Sequence, residues 1–260
     1  MPKYAFIFIP LLVFSLSAFA GTVETISIPS KKMGKAFSCT VILPEKYNGR
    51  RKFKQIYLLH GAGGNHDAWH KTVRDLRPYA DKLKRIIVCT SEGSLSWYNK
   101  NNKSEDYIIK EVIPAIDGKY KTKNDRWISG FSMGGFGALS LGFKYPKLFS
   151  AFGGQSPCIK PSTWTHKWGI AKSMGAKAKE GKHDLFGKKM IKKLKKDRRP
   201  FSILCGEQDF FFKENLEAYQ SLKKSGVKVH WIKKMQGAHN GKYWAESVDK
   251  QLKYFAKKSK

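Results

Sequence analysis

The chain has 260 residues, of which 41% are hydrophobic and 13% aromatic, a composition that argues against disorder. This length favours one large α/β unit over two small domains. Lysine and arginine number 50 against 20 aspartates and glutamates, a formal charge of +30 that favours anionic surroundings but names no chemistry.

The first segment, MPKYAFIFIPLLVFSLSAFA, places Lys3 before an apolar run that ends in Ala18-Phe19-Ala20. It predicts a signal peptide over residues 1–20, cleaved after Ala20, and hence a secreted or periplasmic protein. No later segment is apolar for long enough to span a bilayer, so no transmembrane anchor is expected in the mature chain. Residues 21–260 are expected to form a single domain.

Strand-like runs then recur at FSCTVIL, QIYLLH, RIIVCT, RWISGF, FSAFGG, FSILCG and KVHWIKK. Several are continuous apolar stretches, as expected of strands covered on both faces. Helical patterns lie between them. Tyr107, Ile108, Val112 and Ile113 share one face before Pro114; Leu216, Tyr219 and Leu222 share another; Trp244, Val248, Leu252 and Phe255 line a C-terminal helix. The alternation predicts an α/β fold, a mostly parallel central sheet with helices on both faces. No helix-sized pattern separates the first strands, so they are expected to form an antiparallel edge.

Residues 155–200 break the alternation and read as a basic insertion. They carry Trp164 and Trp168, and from Lys172 to Arg199 twelve lysines and arginines stand against three acids. Leu185, Met190, Ile191 and Leu194 give this stretch one amphipathic helix. The insertion is a candidate to recruit an anionic surface or polymer, or to guard a pocket. Of the four cysteines, Cys39, Cys89 and Cys205 sit in strand-like runs where buried free thiols are common. An exported chain also permits disulfides among these and Cys158, in any of three pairings of the four. There is no zinc-ligand spacing.

Gly130-Phe131-Ser132-Met133-Gly134 fits G-x-S-x-G between a strand and a helix, the context that motif requires. A sharp turn there demands small neighbours and exposes the hydroxyl at the C-terminal end of the sheet. Ser132 is therefore the candidate nucleophile. A serine needs a base, itself oriented by an acid, and on this kind of turn the chain order is serine, acid, histidine. His166 and His183 fall in the insertion and His230 falls within a predicted strand. His239, in the loop before the last helix, is the candidate base. FSILCGEQDFFF offers Glu207 and Asp209, and Asp209, past the turn and beside Phe210, is favoured as the acid. Met133 N–H and Ala62 N–H, the latter in the loop His60-Gly61-Ala62-Gly63-Gly64, are the candidate oxyanion donors. His60 reads as a residue that shapes this loop and borders the pocket. Trp97, Tyr98, Trp164 and Trp168 are further candidates to line an acyl or sugar pocket.

YLLHGAGGNHDAW, SWY, EVIPAID, GFSMGGFGALSLGFKYPKLFSAFGGQSP, CGEQDFF and GAHNGKYW together resemble the esterase D-like α/β-hydrolases. That group includes S-formylglutathione hydrolases, tributyrin-type, feruloyl and acetylxylan esterases, and mycolyltransferases. The resemblance covers roughly residues 37–256. It implies the α/β-hydrolase fold, a triad of Ser132, Asp209 and His239, oxyanion donors at Ala62 and Met133, and catalysis without metal or organic cofactor. The expected function is an exported serine carboxylic-ester hydrolase acting on short acyl or carbohydrate-linked esters. The alternatives are acyl transfer by the same triad and a non-catalytic surface protein that binds anionic polymer. The chain departs from the formylglutathione-cleaving members in its leader and from typical esterases in its lysine-rich insertion. No nucleic-acid reading motif is present, so no specific nucleic-acid partner is expected.

Overall fold

The computed structural model describes residues 21–175 and 178–259; the leader predicted over residues 1–20 lies outside them. The strands are β1 (Val23–Ser30), β2 (Lys35–Ile42), β3 (Phe53–Leu59), β4 (Arg85–Cys89), β5 (Thr122–Gly130), β6 (Ala151–Gln155) and β7 (Phe201–Leu204). They form one sheet in the order β1-β2-β4-β3-β5-β6-β7. β1 and β2 are antiparallel to their neighbours, and β4, β3, β5, β6 and β7 run parallel. The helices are α1 (Arg77–Leu83), α2 (Ser104–Tyr107), α3 (Ile113–Lys119), α4 (Met133–Lys144), α5 (Ile170–Met174), α6 (Lys188–Leu194), α7 (Phe212–Lys224) and α8 (Gly241–Lys258).

Strand alternation splits the core in two. Ile56 and Leu58 of β3 pack with Trp127 and with Val248, Leu252 and Phe255 of α8. Their neighbours Tyr57 and Leu59 face the other way, toward α3, α4 and α7. Successive side chains of a strand point to opposite faces, so an all-apolar strand needs a helical layer on each side. α4 is buried through most of its length, from Met133 to Gly142. All four cysteines are free and buried. Burial pushes the Cys39 thiol up to about 12, which disfavours the reactive thiolate.

Three elements differ from the sequence expectation. β1 is absent from the predicted strands, because an edge strand buries only part of one face and its pattern is weak. KVHWIKK forms a single bridge, His230 with Ser202, instead of a strand. Trp231 stacks on Tyr219 of α7 and His230 on Tyr254 of α8, and the chain turns at Lys234, where φ is 55°. The helical face read before Pro114 extends beyond that residue. A π-turn at Ile108–Val112 precedes α3, which carries the proline in its first turn. Proline lacks an N–H and clashes with the carbonyl four residues back, and the wider turn relieves both problems.

Candidate active site

The parallel strands β3 and β5 end together, and the loops that follow them meet. Ser132 sits between β5 and α4 with φ 55° and ψ −120°, a strained conformation for a residue with a side chain. Its N–H donates to Gln155 O at 2.9 Å, which ties the turn to the end of β6. The glycines around it answer to contact. A Cβ on Gly134 would lie 2.3 Å from Leu59 O and 2.5 Å from His60 O, and one on Gly130 would lie 2.4 Å from Gly134 O. These neighbours are backbone atoms and have little room to retreat. Gly134→Ala is therefore expected to destabilise the fold by about 3 kcal/mol, read as a fall in the urea midpoint with the slope unchanged.

His239 and Asp209 arrive on two loops that are paired to each other. Glu207 N–H donates to Met235 O at 3.0 Å and Gln208 N–H to Gly237 O at 3.1 Å. Gly206 is packed so tightly on Gly237 that a Cβ there would meet Gly237 O at 2.1 Å. His239 Nδ1 lies 2.8 Å from Asp209 Oδ2, and His239 Nε2 lies 2.9 Å from Ser132 Oγ. Asp209 is buried, and its second oxygen accepts the Phe211 N–H at 2.8 Å. That bond fixes the carboxylate plane, so only one oxygen remains for the imidazole. Glu207 instead bonds Gln236 at 2.5 Å, away from the histidine.

The candidate oxyanion loop lies directly against the serine. A Cβ on Gly61 would meet Ser132 Cβ at 3.3 Å. Within the loop, Gly63 N–H donates to Ser94 O and Gly64 N–H to Gly61 O. Met133 opens α4, so its N–H belongs to the first helical turn, whose donors have no acceptor within the helix. Gly61, the neighbour of Ala62, and Met133 thus both adjoin Ser132.

His60 departs from the pocket expectation. It is fully buried, with Nδ1 2.7 Å from Gly61 O and Nε2 3.2 Å from Glu92 Oε1. Glu92 in turn accepts from Thr90 Oγ1 and Ser96 Oγ, and Tyr98 OH donates to His60 O at 2.9 Å. Trp97 and Tyr98 are buried too, and Trp97 Nε1 donates to Trp168 O at 2.8 Å. These three side chains support the loops from behind instead of facing a substrate. An apolar setting suits an aromatic body whose polar tip finds a partner, so burial won over exposure here. Burial pulls the His60 imidazole down, but the Glu92 carboxylate outweighs it, and the net direction is up. A raised folded pKa means that this pair stabilises the fold below the ordinary imidazole range and loses its contribution as pH rises through the raised value. In Glu92→Gln burial, the largest influence, is opposed only by the weaker hydrogen bond to Gly61 O, so the sign reverses and stability falls on acidification. Urea midpoints measured from mildly acidic to mildly alkaline pH should show the two opposite trends.

Trp164 and Trp168 remain part-exposed and join a cluster that the sequence reading did not assemble. Phe210 is 50% exposed, 5.8 Å from Trp168 in a stacked arrangement and 4.3 Å from the His239 ring. Trp164 lies 5.5 Å from Trp168, and its indole N–H donates to Glu214 at 3.0 Å. Trp244 meets His239 edge-on at 5.1 Å. The triplet Phe210-Phe211-Phe212 carried the signal: a helix start can bury only part of such a run. Among the described residues, no group of three His, Cys, Asp or Glu is clustered to hold a metal ion.

Comparison with known proteins bears on the family and the fold. Residues 30–257 match the sequence model of the Esterase family, described as "Putative esterase". An acetyl esterase of Caldicellulosiruptor saccharolyticus is 26% identical over 271 aligned positions, which cover 90% of this chain and 98% of that protein. Among solved structures, an S-formylglutathione hydrolase from Staphylococcus aureus superposes with a TM-score of 0.79 at 20% identity, covering 90% of this chain and 98% of that one. A ferulic acid esterase superposes at 0.77 with 23% identity, covering 92% and 99%. The structural likenesses establish the α/β-hydrolase fold, and the family match over most of the chain places this protein in the Esterase family of carboxylic ester hydrolases.

Proposed function

We propose that the protein is an exported serine esterase in which Ser132 is the nucleophile, His239 the base and Asp209 the acid that orients it. The observation that carries this reading is the unbroken line from Asp209 Oδ2 to His239 Nδ1 at 2.8 Å and from His239 Nε2 to Ser132 Oγ at 2.9 Å. In it, Ser132 Oγ attacks the ester carbonyl as its proton passes to His239 Nε2. The resulting oxyanion takes hydrogen bonds from the Ala62 and Met133 N–H groups. Collapse expels the alcohol, which receives the proton from His239, and leaves an acyl-enzyme. Water then repeats the cycle and releases the acid. Export is supported by the leader pattern and by the surroundings of Gly21. Its N–H donates to Asp81 Oδ2 at 3.4 Å, so cleavage after Ala20 would set a new α-ammonium beside that acid.

The exposed ring of Phe210, stacked on Trp168 beside the base, supports esters that carry a flat or sugar-like group next to the carbonyl. A panel of p-nitrophenyl and aryl-acyl esters tests the reading. Phe210→Ala should raise KM about tenfold for ring-bearing esters and change acetyl-ester kcat/KM less than about threefold. No turnover of any ester by the parent protein would sink the proposal.

A further inference from the structure

A second feature lies at the opposite pole of the sheet, where β3, β4 and β5 begin. A cavity of about 690 Å³ opens there between the strand starts, the end of α1 and the end of α8. Lys46, Arg51, Lys52, Lys82, Lys84 and Lys123 line it, all of them exposed. None of these six has a carboxylate within salt-bridge distance among the described residues. The other two basic residues in its wall share one carboxylate: Lys54 and Arg85 both pair with Asp125, at 2.7 and 3.2 Å. Two acids also border the cavity. Asp81 is engaged by the backbone N–H groups of Gly21 and Glu45, and Glu45 is exposed at the rim.

Helix-end electrostatics accounts for part of this charge. Lys82 and Lys84 stand at the C-terminus of α1, where a cation is favourable. It does not account for Arg51, Lys52 and Lys123, which come from the starts of β3 and β5. Like charges lining one concavity repel each other, and a low-dielectric wall focuses their field. The lysines of α6 in the basic insertion differ in this respect, because they project from one short helix instead of facing a shared hollow.

We propose that this cavity is a docking site for an acidic polysaccharide, distinct from the ester-cleaving edge and independent of the triad. Concavity favours a chain over a flat bilayer. Neither aromatic residue of the wall offers a free ring face on which a nucleobase could stack, which favours a saccharide over single-stranded nucleic acid: Trp127 is buried under Arg85, and Phe53 is half-buried with its ring packed on Tyr47 at 5.6 Å. Docking at this pole leaves the edge that carries Ser132 free, because the polymer would meet the chain where β3, β4 and β5 begin, and β3 and β5 reach Ser132 only at their other ends.

The test compares two variants of equal net charge. One carries Arg51→Ala, Lys52→Ala, Lys84→Ala and Lys123→Ala; the other carries Lys188→Ala, Lys189→Ala, Lys192→Ala and Lys193→Ala. Binding to polygalacturonate is titrated over a range of salt concentrations, with phosphatidylglycerol vesicles and a single-stranded oligonucleotide as further probes. The first variant should lose at least about tenfold in affinity and show a shallower salt dependence, while the second stays within about threefold of the parent. Hydrolysis of p-nitrophenyl acetate and the thermal midpoint report that both variants are folded. Equal losses in the two variants, or no binding of polygalacturonate by the parent, overturn the site. Tighter binding of vesicles or of the oligonucleotide than of polygalacturonate overturns the saccharide assignment.

Discussion

Ser132→Ala is expected to lower kcat for p-nitrophenyl acetate by roughly 10⁴–10⁶-fold, with KM little changed. The hydroxyl is the group at this position that can form the acyl-enzyme, and His239 Nε2 lies 2.9 Å away to take its proton. The residual rate would come from the oxyanion donors and from binding, which do not depend on the side chain. The fold should survive. The Ser132 N–H bond to Gln155 O is a backbone bond, and alanine bears the same strain at φ 55° as serine does. Steady-state kinetics on the purified variant, together with loss of fluorophosphonate labelling of the Ser132 peptide, is the measurement. Near-parental turnover would remove Ser132 from the mechanism.

Asp209→Asn is expected to lower kcat by about 10⁴-fold while leaving the backbone in place. Asp209 Oδ1 accepts the Phe211 N–H, so in the variant the amide oxygen keeps that position and the NH₂ group turns to His239 Nδ1. Nδ1 must then accept instead of donate, which moves the ring proton to Nε2. A protonated Nε2 cannot take the Ser132 proton. The variant should therefore stay poorly active across the neutral range and recover as pH rises enough for hydroxide to assist. The pH–rate profile separates this outcome from a plain loss of folding. Full activity at neutral pH would mean that the carboxylate does not orient the base.

The turn around Ser132 was legible because its demands are local. A strand, a serine and a helix joined within five residues leave no space for Cβ atoms at Gly130 and Gly134, and the contacts to Leu59 O and Gly134 O are the three-dimensional form of that requirement. Asp209 and His239 were legible through order along the chain and through their loops before α7 and α8. The two-sided apolar strands likewise announced a sheet covered by helices. KVHWIKK misled because its alternation is that of a strand, while Trp231 and His230 find better partners on Tyr219 and Tyr254.

The amino-acid sequence by itself determined the parallel α/β architecture, the serine turn and the residues that answer it, since steric and periodic constraints act between near neighbours. Only the tertiary structure decided which aromatic side chains face solvent. His60, Trp97 and Tyr98 are closed in behind the loops, whereas Phe210 stands open beside His239. Only it gathered Arg51, Lys84 and Lys123 around one cavity. Burial and convergence depend on which distant segments pack together, and that is a property of the folded chain, absent from any short stretch of it.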